Sequence, residues 1–309
     1  MGVQQLEDAW TARVGAREAR LVAASHVPAA LSLLGIVRPG DRLVAFADDF
    51  AGAFARGFDG CDVVLVGSPS ADVFTAASEG FDASFDAEGP HLWWFVNSIG
   101  GFGLRVPDLR ALGRAAREAH ALLVVDNTVA SAFGCDPLRL GAVLSLEALD
   151  RVCAGRAPRK LVAASVARSQ LKHHRVDAAA ECAHVLFAGC GSLALDLSAE
   201  EVDVLERGLS SLNARMQAHF DRARALAEYL AARGILVTGH DHLGHGGSIR
   251  TRADYGYFAQ PDGNRAVLDD LHAVTALTKQ LYPGVPYFLL GHSMGSFYAR
   301  QYLCEYGRE

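Results

Sequence analysis

Short apolar runs alternate with longer amphipathic stretches over the first half of the chain. Runs of strand length occupy residues 42–47, 61–67, 92–96 and 121–125. Between the last two, residues 106–120 place Leu109, Leu112 and Ala116 on one side, which predicts an amphipathic helix. Strands that alternate with helices predict an α/β fold with a mainly parallel sheet.

Two further stretches are predicted to be helical. The Ala- and Leu-rich segment 18–37 suits a helix that stops at the turn Pro39-Gly40. A longer helix is predicted from Ser198 to Arg233, where Ser198 and Glu201 have the spacing of a capping box. Gly234 follows as the residue that ends this helix.

The pattern changes after Gly234. Residues 235–238 are predicted to form a strand, and a loop rich in His and Gly follows at residues 239–248. A helix is predicted over residues 266–282. Residues 287–290 then predict a buried strand that leads into Gly291-His-Ser-Met-Gly295.

Composition narrows the class of protein. Half of the 309 residues are apolar and the formal net charge is −6, so nothing indicates a nucleic-acid-binding protein. No apolar stretch reaches the ~20 residues of a membrane span, and the first residues lack the pattern of a secretory signal. Six cysteines without a CxxC pair favour reduced thiols and a cytoplasmic location. No set of side chains has the spacing of a metal site.

The pentapeptide Gly291–Gly295 has the form of a nucleophile elbow. In such an elbow a strand turns sharply into a helix, so that Ser293 is the candidate nucleophile and the backbone N–H of Met294 a candidate oxyanion donor. The general base and acid normally follow the serine in the chain, yet only sixteen residues come after Ser293. We therefore expect a serine that nothing activates.

Residues 235–300 resemble the monoacylglycerol lipase and lysophospholipase group of α/β hydrolases. The resemblance rests on GHDHLGHGGS, GYFAQPDG, DLHAVT and YPGVPYFLLGHSMGSF, and it implies attack of Ser293 on small acyl esters. The residues before Ile235 do not match the strand that carries the oxyanion loop in this group. We expect the strands of 235–309 to pair with each other or elsewhere, and this part to be less well packed than 1–234.

The first 234 residues resemble a different family, the Cys/Met-metabolism enzymes that depend on pyridoxal phosphate (PLP). The motifs are VRPGDRLVAFADDFAG, LRVPDLRALGRAAREAHALLVVDNTVAS, PLRLGA and the helix LERGLSSLNARMQAHFDRARALAEYLAARG. The resemblance implies the large domain of a type I PLP-transferase fold without its N-terminal arm, and a homo-oligomer. It also implies that Asp126 binds the pyridine nitrogen of PLP.

Several positions depart from that family. By alignment, its Ser-Ala-Thr-Lys falls on residues 148–151, so Arg151 stands where the lysine that attaches PLP is expected. Arginine stays protonated and cannot form this bond. The nearest of three lysines, Lys160, lies nine residues further on. Other cofactor contacts are replaced at Ala23, Ala24, Ser25 and His26 in the phosphate loop, at Ala51 for the stacking tyrosine and at Gly101 for an asparagine.

These observations predict a partial PLP-transferase-like domain at 1–234, followed by a partial α/β-hydrolase fragment at 235–309. We expect no bound cofactor, and a chain that is catalytically impaired. Two alternatives remain: a serine hydrolase that uses Ser293, and a transsulfuration-type enzyme that still binds PLP. The basic residues between 156 and 175 are interpreted as a solvated surface.

Overall fold

The computed structural model describes residues 2–46, 50–100, 106–150, 159–169, 177–190, 195–237, 263–291 and 294–307. The chain divides into two compact units, Met1–Leu236 and Val237–Glu309. Within the described ranges, no helix is both long and apolar enough to cross a membrane.

The first unit is an α/β structure built on one seven-stranded sheet. Its strands are β1 (Glu18–Ala23), β2 (Arg42–Phe46), β3 (Asp62–Leu65), β4 (Leu92–Asn97), β5 (Ala121–Asp126), β6 (Leu144–Ala148) and β7 (Leu161–Val166). Its helices are α1 (Val3–Val14), α2 (Val27–Leu34), α3 (Ala51–Gly57), α4 (Ala71–Ser78), α5 (Leu109–Glu118), α6 (Ser131–Gly134), α7 (Pro137–Leu140), α8 (Ala178–Ala188) and α9 (Ala199–Ala231).

The strand order is β1-β7-β6-β5-β4-β2-β3. Strands β2 to β6 pair in parallel, whereas β7 is antiparallel to both of its neighbours. The carboxyl ends of β1 to β6 therefore lie at one edge of the sheet, together with the amino end of β7. This edge is called the carboxyl edge below.

Helices cover both faces of the sheet, so the central strands are apolar on both sides rather than alternating. All residues of β4, β5, β6 and β7 are buried. Helices α2, α3 and α8 contribute buried side chains to the core on one face, and α4 and α5 to the core on the other. A third cluster joins α1 and α9 to β1 and β7 through Trp10, Leu21, Ala163 and Leu205.

The predicted strands at 42–47, 61–67, 92–96 and 121–125 correspond to β2, β3, β4 and β5, and the predicted helix at 106–120 corresponds to α5. The predicted cap of α9 is also confirmed. The Ser198 hydroxyl accepts from the N–H of Glu201 at 3.2 Å, and the Glu201 carboxylate accepts from the N–H of Ser198 at 2.8 Å. Gly234 has a φ of 75°, as expected after a helix end.

One helix prediction in the first unit is wrong. The segment 18–37 contains β1 and then α2, with His26 between them. Alanine, leucine and valine suit both a helix and a strand buried on both faces, so local composition cannot separate the two. The pairing of β1 with β7 decides the conformation.

In the second unit, the structure describes helix α10 (Gly263–Leu281) and helix α11 (Met294–Tyr306). The predicted helix at 266–282 corresponds to α10. The predicted strands at 235–238 and 287–290 are not found: residues 235–237 and 287–290 belong to no strand. A small apolar cluster joins the two helices through Val267, Leu268, Leu271, Tyr298 and Tyr302.

Candidate functional site

Polar side chains gather at the carboxyl edge of the sheet. Asn97 ends β4 and Asp126 ends β5, and the two residues are direct partners in the register of these strands. Both are more than nine-tenths buried. In parallel α/β sheets, ligands bind at the carboxyl ends of the strands, so this edge is the first place to test for a functional site.

Asp126 is held by the backbone around it. One oxygen of its carboxylate accepts from the N–H of Thr128 at 2.9 Å, and its carbonyl accepts from the N–H of Ser98 at 2.8 Å. The Thr128 hydroxyl in turn accepts from the N–H of Ala148 at 3.0 Å. Asp126 is thus fixed in a turn that ties the ends of β4, β5 and β6 together.

Three buried polar atoms near Asp126 have no hydrogen-bond partner within the described residues. They are the Asn97 Oδ1 and the Ser98 Oγ at the end of β4 and the Asn127 Oδ1 after β5, in side chains that are 7%, 3% and 1% exposed. Burial of an unpaired polar group costs free energy, and such groups concentrate where a ligand or water binds. The end of β4 therefore retains hydrogen-bonding capacity toward this edge.

The turn between β1 and α2 is occupied by a histidine. The Nδ1 of His26 accepts from the N–H of Ala29 at 3.1 Å and so caps α2. Its ring stacks on Phe50, with ring centroids 5.1 Å apart and planes at 23°. Pro28, in the first turn, has no N–H to donate. At the N-terminus of α2, one N–H group is therefore already bonded and another is missing. Fewer backbone amides are left to bind a phosphate there.

Lys160 lies at the same edge, although it is nine residues beyond the position where the family's lysine is expected. It immediately precedes β7, whose first residue, Leu161, pairs with Ala23 of β1 and accepts from the N–H of Leu149 at 2.8 Å. The antiparallel return of β7 brings Lys160 back to the carboxyl edge. Burial lowers the pKa of His26, and the positive charge of Lys160 lowers it further.

Several residues of the sequence-based site cannot be placed, because Arg151, Gly101 and Ser293 lie outside the described residues. Ala51 begins α3 and carries no ring; the ring found beside it is that of Phe50. Met294 is the first residue of α11, so a helix starts directly after Ser293. No group of three His, Cys, Asp or Glu side chains in the described ranges is arranged to hold a metal.

The residues present do not fit PLP well. Asp126 has the right chemistry for a pyridine nitrogen, and it is buried at the end of a strand. The phosphate, however, would meet Ala23, Ala24 and a helix N-terminus that His26 already caps. By alignment, the position of the attaching lysine holds an arginine, Arg151. We therefore derive no reaction step through this cofactor.

Comparison with known proteins identifies the family. The profile of the Cys/Met metabolism PLP-dependent enzymes matches residues 2–238, which is most of the chain. The chain belongs to this family. A second profile, serine aminopeptidase S33, matches residues 207–309. The two matches overlap over residues 207–238, a range that includes most of α9.

The individual relatives also fall into two groups, PLP-family enzymes and lipases. O-acetyl-L-homoserine sulfhydrylase 1 of Thermus thermophilus is 33% identical over 157 residues, which is 50% of this chain and 36% of the relative. The monoglyceride lipase homolog of Monkeypox virus is 41% identical over 87 residues, and human monoglyceride lipase is 39% identical over 85. Each lipase match covers 25% of this chain, and 26% and 23% of the respective relative.

Solved structures support the fold of the first unit. Apo CalE6, a methionine gamma lyase from Micromonospora echinospora, matches with a TM-score of 0.55 and 27% identity, over 74% of this chain and 58% of that one. MetB from Corynebacterium glutamicum matches with a TM-score of 0.58 and 24% identity, over 76% and 57%. The chain thus spans well under two thirds of the relatives it matches.

The sequence did not predict three features of the carboxyl edge: the capping of α2 by His26, the stacking of His26 on Phe50, and the position of Lys160. The signal for Lys160 was available. Residues 161–166 form an apolar run that follows β6 closely, which is typical of a strand that returns beside it. For His26 and Phe50, no local pattern predicts that two rings 24 residues apart meet.

Proposed function

We propose that this chain is a catalytically impaired member of the Cys/Met-metabolism PLP-dependent family. In this proposal residues 1–234 derive from a transsulfuration-type enzyme and residues 235–309 from part of an α/β hydrolase. The observation that carries it is the carboxyl edge itself, where Asp126 is retained while His26 caps α2 at the phosphate loop; by alignment, Arg151 also replaces the lysine that attaches the cofactor.

The chemical argument is strongest at Arg151. A guanidinium remains protonated at any physiological pH, so it has no lone pair with which to attack an aldehyde. The argument at His26 is geometric, because a ring that caps α2 and stacks on Phe50 lies where a phosphate would need the helix amides. Each change alone would weaken cofactor binding, and together they support the loss of PLP chemistry.

Lys160 provides the most demanding test of this proposal. It is an amine at the correct edge of the sheet, and the sequence contains only two others, Lys172 and Lys279. The chain is incubated with PLP and reduced with borohydride, and lysine modification is measured by peptide mass spectrometry. We expect Lys160 to be modified no more than the exposed Lys279. Preferential modification of Lys160, with loss of the cofactor's absorbance band in Lys160→Gln, would show that PLP binds here.

A serine hydrolase is the second candidate, because the S33 profile matches residues 207–309 and α11 begins directly after Ser293. In this alternative Ser293 is the nucleophile and the N–H of Met294 is an oxyanion donor. A fluorophosphonate probe separates the two candidates. Under our proposal the probe does not label the chain. Stoichiometric labelling that is lost in Ser293→Ala would establish the hydrolase instead.

A cytoplasmic location and a homo-oligomer are part of the same proposal. The five cysteines within the described ranges are free thiols, which suits a reducing compartment. Burial raises the pKa of the Cys61, Cys135 and Cys190 thiols, so they are expected to be unreactive. Light scattering at several concentrations tests the oligomer: a constant mass of one chain, 32.9 kDa, would contradict it.

A further inference from the structure

Five arginines line a cleft on the side of the first unit away from the carboxyl edge. The cleft is lined at its base by residues 141–143, before β6, and by Ala167, after β7. Its volume is about 460 Å³, which is in the range of small-molecule sites. We call it the arginine cleft; its arginines are Arg110, Arg114, Arg117, Arg139 and Arg168.

Three of these arginines come from one face of α5. Arg110, Arg114 and Arg117 follow a spacing of four and three residues, which places them side by side along the helix. Like charges at this spacing destabilise a helix slightly. The opposite face of α5 is buried against the sheet, so the polar face is free to carry function.

The cleft holds an excess of positive charge. Asp177 is the single acid among its lining residues, and it pairs with Arg117 at 3.0 Å. Arg168 donates through Nε to the carbonyls of Gly15 and Ala16, at 3.1 and 2.8 Å. These hydrogen bonds hold the side chain in place but leave its positive charge unpaired with an acid among the described residues. Four positive charges are thus uncompensated within the described lining, in a chain whose net charge is −6.

The floor of the cleft depends on two glycines. A Cβ on Gly113 would lie 2.8 Å from the Cα of Gly141, and Gly141 has a φ of 120°. Helix α5 therefore approaches the chain before β6 more closely than any side chain would permit. Arg117 is fixed above this contact by its bond to the Gly113 carbonyl at 2.9 Å. Three of the five arginines thus stand on a helix whose position is fixed by this contact, which favours a defined binding geometry.

We propose that the arginine cleft binds a small ligand that carries two or more phosphate groups. Guanidinium groups match phosphate oxygens in pairs, and several adjacent arginines select a ligand with several negative charges. The acidic chain as a whole, with a sequence pI near 6.0, disfavours an extended nucleic acid as the ligand. This site is separate from the carboxyl edge and does not depend on PLP.

Calorimetric titration of the whole chain with inorganic tripolyphosphate tests the proposal. One tripolyphosphate per chain is expected to bind at least tenfold more tightly than orthophosphate at the same ionic strength, and more weakly as salt is added. A titration with ATP shows whether the polyphosphate ligand is a nucleotide or inorganic. If ATP binds more tightly than tripolyphosphate, the ligand is a nucleotide. An absence of saturable binding by either probe would overturn the proposal.

Variants locate the binding to the cleft. Arg110 and Arg114 are exposed and have no side-chain bond among the described residues, so Arg110→Gln/Arg114→Gln should fold normally and bind tripolyphosphate at least tenfold more weakly. Arg139→Gln, on a different element, should weaken it at least threefold. Arg56→Gln/Arg222→Gln is the matched control, since it removes the same charge from exposed positions elsewhere and should change affinity less than twofold.

The proposal is overturned if the control and cleft variants lose affinity equally, because only the net charge would then matter. It is also overturned if a single-stranded oligonucleotide binds more tightly than tripolyphosphate and loses affinity in the cleft variant. That outcome would assign the arginines to a nucleic-acid backbone instead of a small ligand.

Discussion

Apolar runs of similar composition adopt different conformations in the two units. In the first unit, Leu92–Asn97 forms β4, is buried throughout, and has a parallel strand on each side. In the second, the run at 287–290 belongs to no strand, and its Phe288 and Leu290 are 74% and 85% exposed. The two segments have similar local propensity but different neighbours. An apolar run becomes a strand where other strands satisfy its backbone groups.

This difference indicates where the stability of the chain resides. The first unit has continuous cores on both faces of a seven-stranded sheet, whereas the described part of the second has one small cluster between α10 and α11. The profile matches overlap within α9, so the boundary between the two family resemblances lies in or just after one long helix.

The largest expected effect comes from a matched pair of phenylalanines. Phe95, in β4, is fully buried and contacts Phe54 edge-on at 4.8 Å between ring centroids. Phe95→Ala should lower the free energy of unfolding by about 3–5 kcal/mol, the usual cost of emptying a buried ring position. Phe288→Ala should change it by less than about 0.5 kcal/mol. Urea unfolding followed by circular dichroism measures both.

Equal effects of the two substitutions would break the comparison between the units. A large loss in Phe288→Ala would mean that this ring is buried in solution, and with it the run 287–290. A small loss in Phe95→Ala would mean that the sheet of the first unit is not the cooperative core.

A buried ion pair gives the second prediction, and it again belongs to the first unit. Asp41 is 2% exposed and accepts from the backbone N–H of Arg38 and of His91, and from the Trp93 indole, at 2.8–2.9 Å. The imidazole of His91 lies 3.4 Å from the same carboxylate. Burial alone would raise the pKa of Asp41, but these hydrogen bonds outweigh it and lower the pKa.

His91 shows the opposite balance. Burial alone would lower its pKa, but the hydrogen bonds and charges of Asp41 and Cys182 together outweigh burial and raise the pKa from 6.5 to about 9. A raised histidine pKa stabilises the fold below the unfolded value and ceases to do so as the pH rises through the folded value. The wild-type chain should therefore lose up to about 3 kcal/mol of unfolding free energy between pH 6.5 and pH 9.

One variant distinguishes the contribution of the Asp41–His91 pair to the pH dependence of stability from that of other titrating groups. Asp41→Asn keeps the size of the side chain but removes the charge that holds the proton on His91. It should be less stable than wild type at pH 6.5 by about 3–5 kcal/mol, the usual cost of breaking a buried pair. Its stability should then decline less toward pH 9. Parallel curves for the two chains would refute the assignment of the decline to His91.

Local sequence features predicted part of this arrangement. The strand at 121–125 and the cap at Ser198 were predicted because periodicity and capping depend on neighbours in sequence. Lys160 and the arginine cleft were not, because each depends on which elements become neighbours in space. Lys160 reaches the carboxyl edge only because β7 runs antiparallel to β6. The cleft combines side chains from α5, α7 and the end of β7.

The smallest expected effect on stability comes from an exposed ion-pair cluster in the second unit, which we compare with the buried Asp41–His91 pair of the first. Arg265, on α10, pairs with Asp269 at 2.8 Å and with Glu305 of α11 at 2.6 Å, and it is 49% exposed. Solvent screens such pairs, so Arg265→Gln should cost less than about 1 kcal/mol. The cost should also shrink in 1 M NaCl, where the screening length falls to about 3 Å. Urea unfolding at low and high salt measures it. A loss as large as that of Asp41→Asn would mean that the α10–α11 contact depends on this cluster more than on its apolar residues.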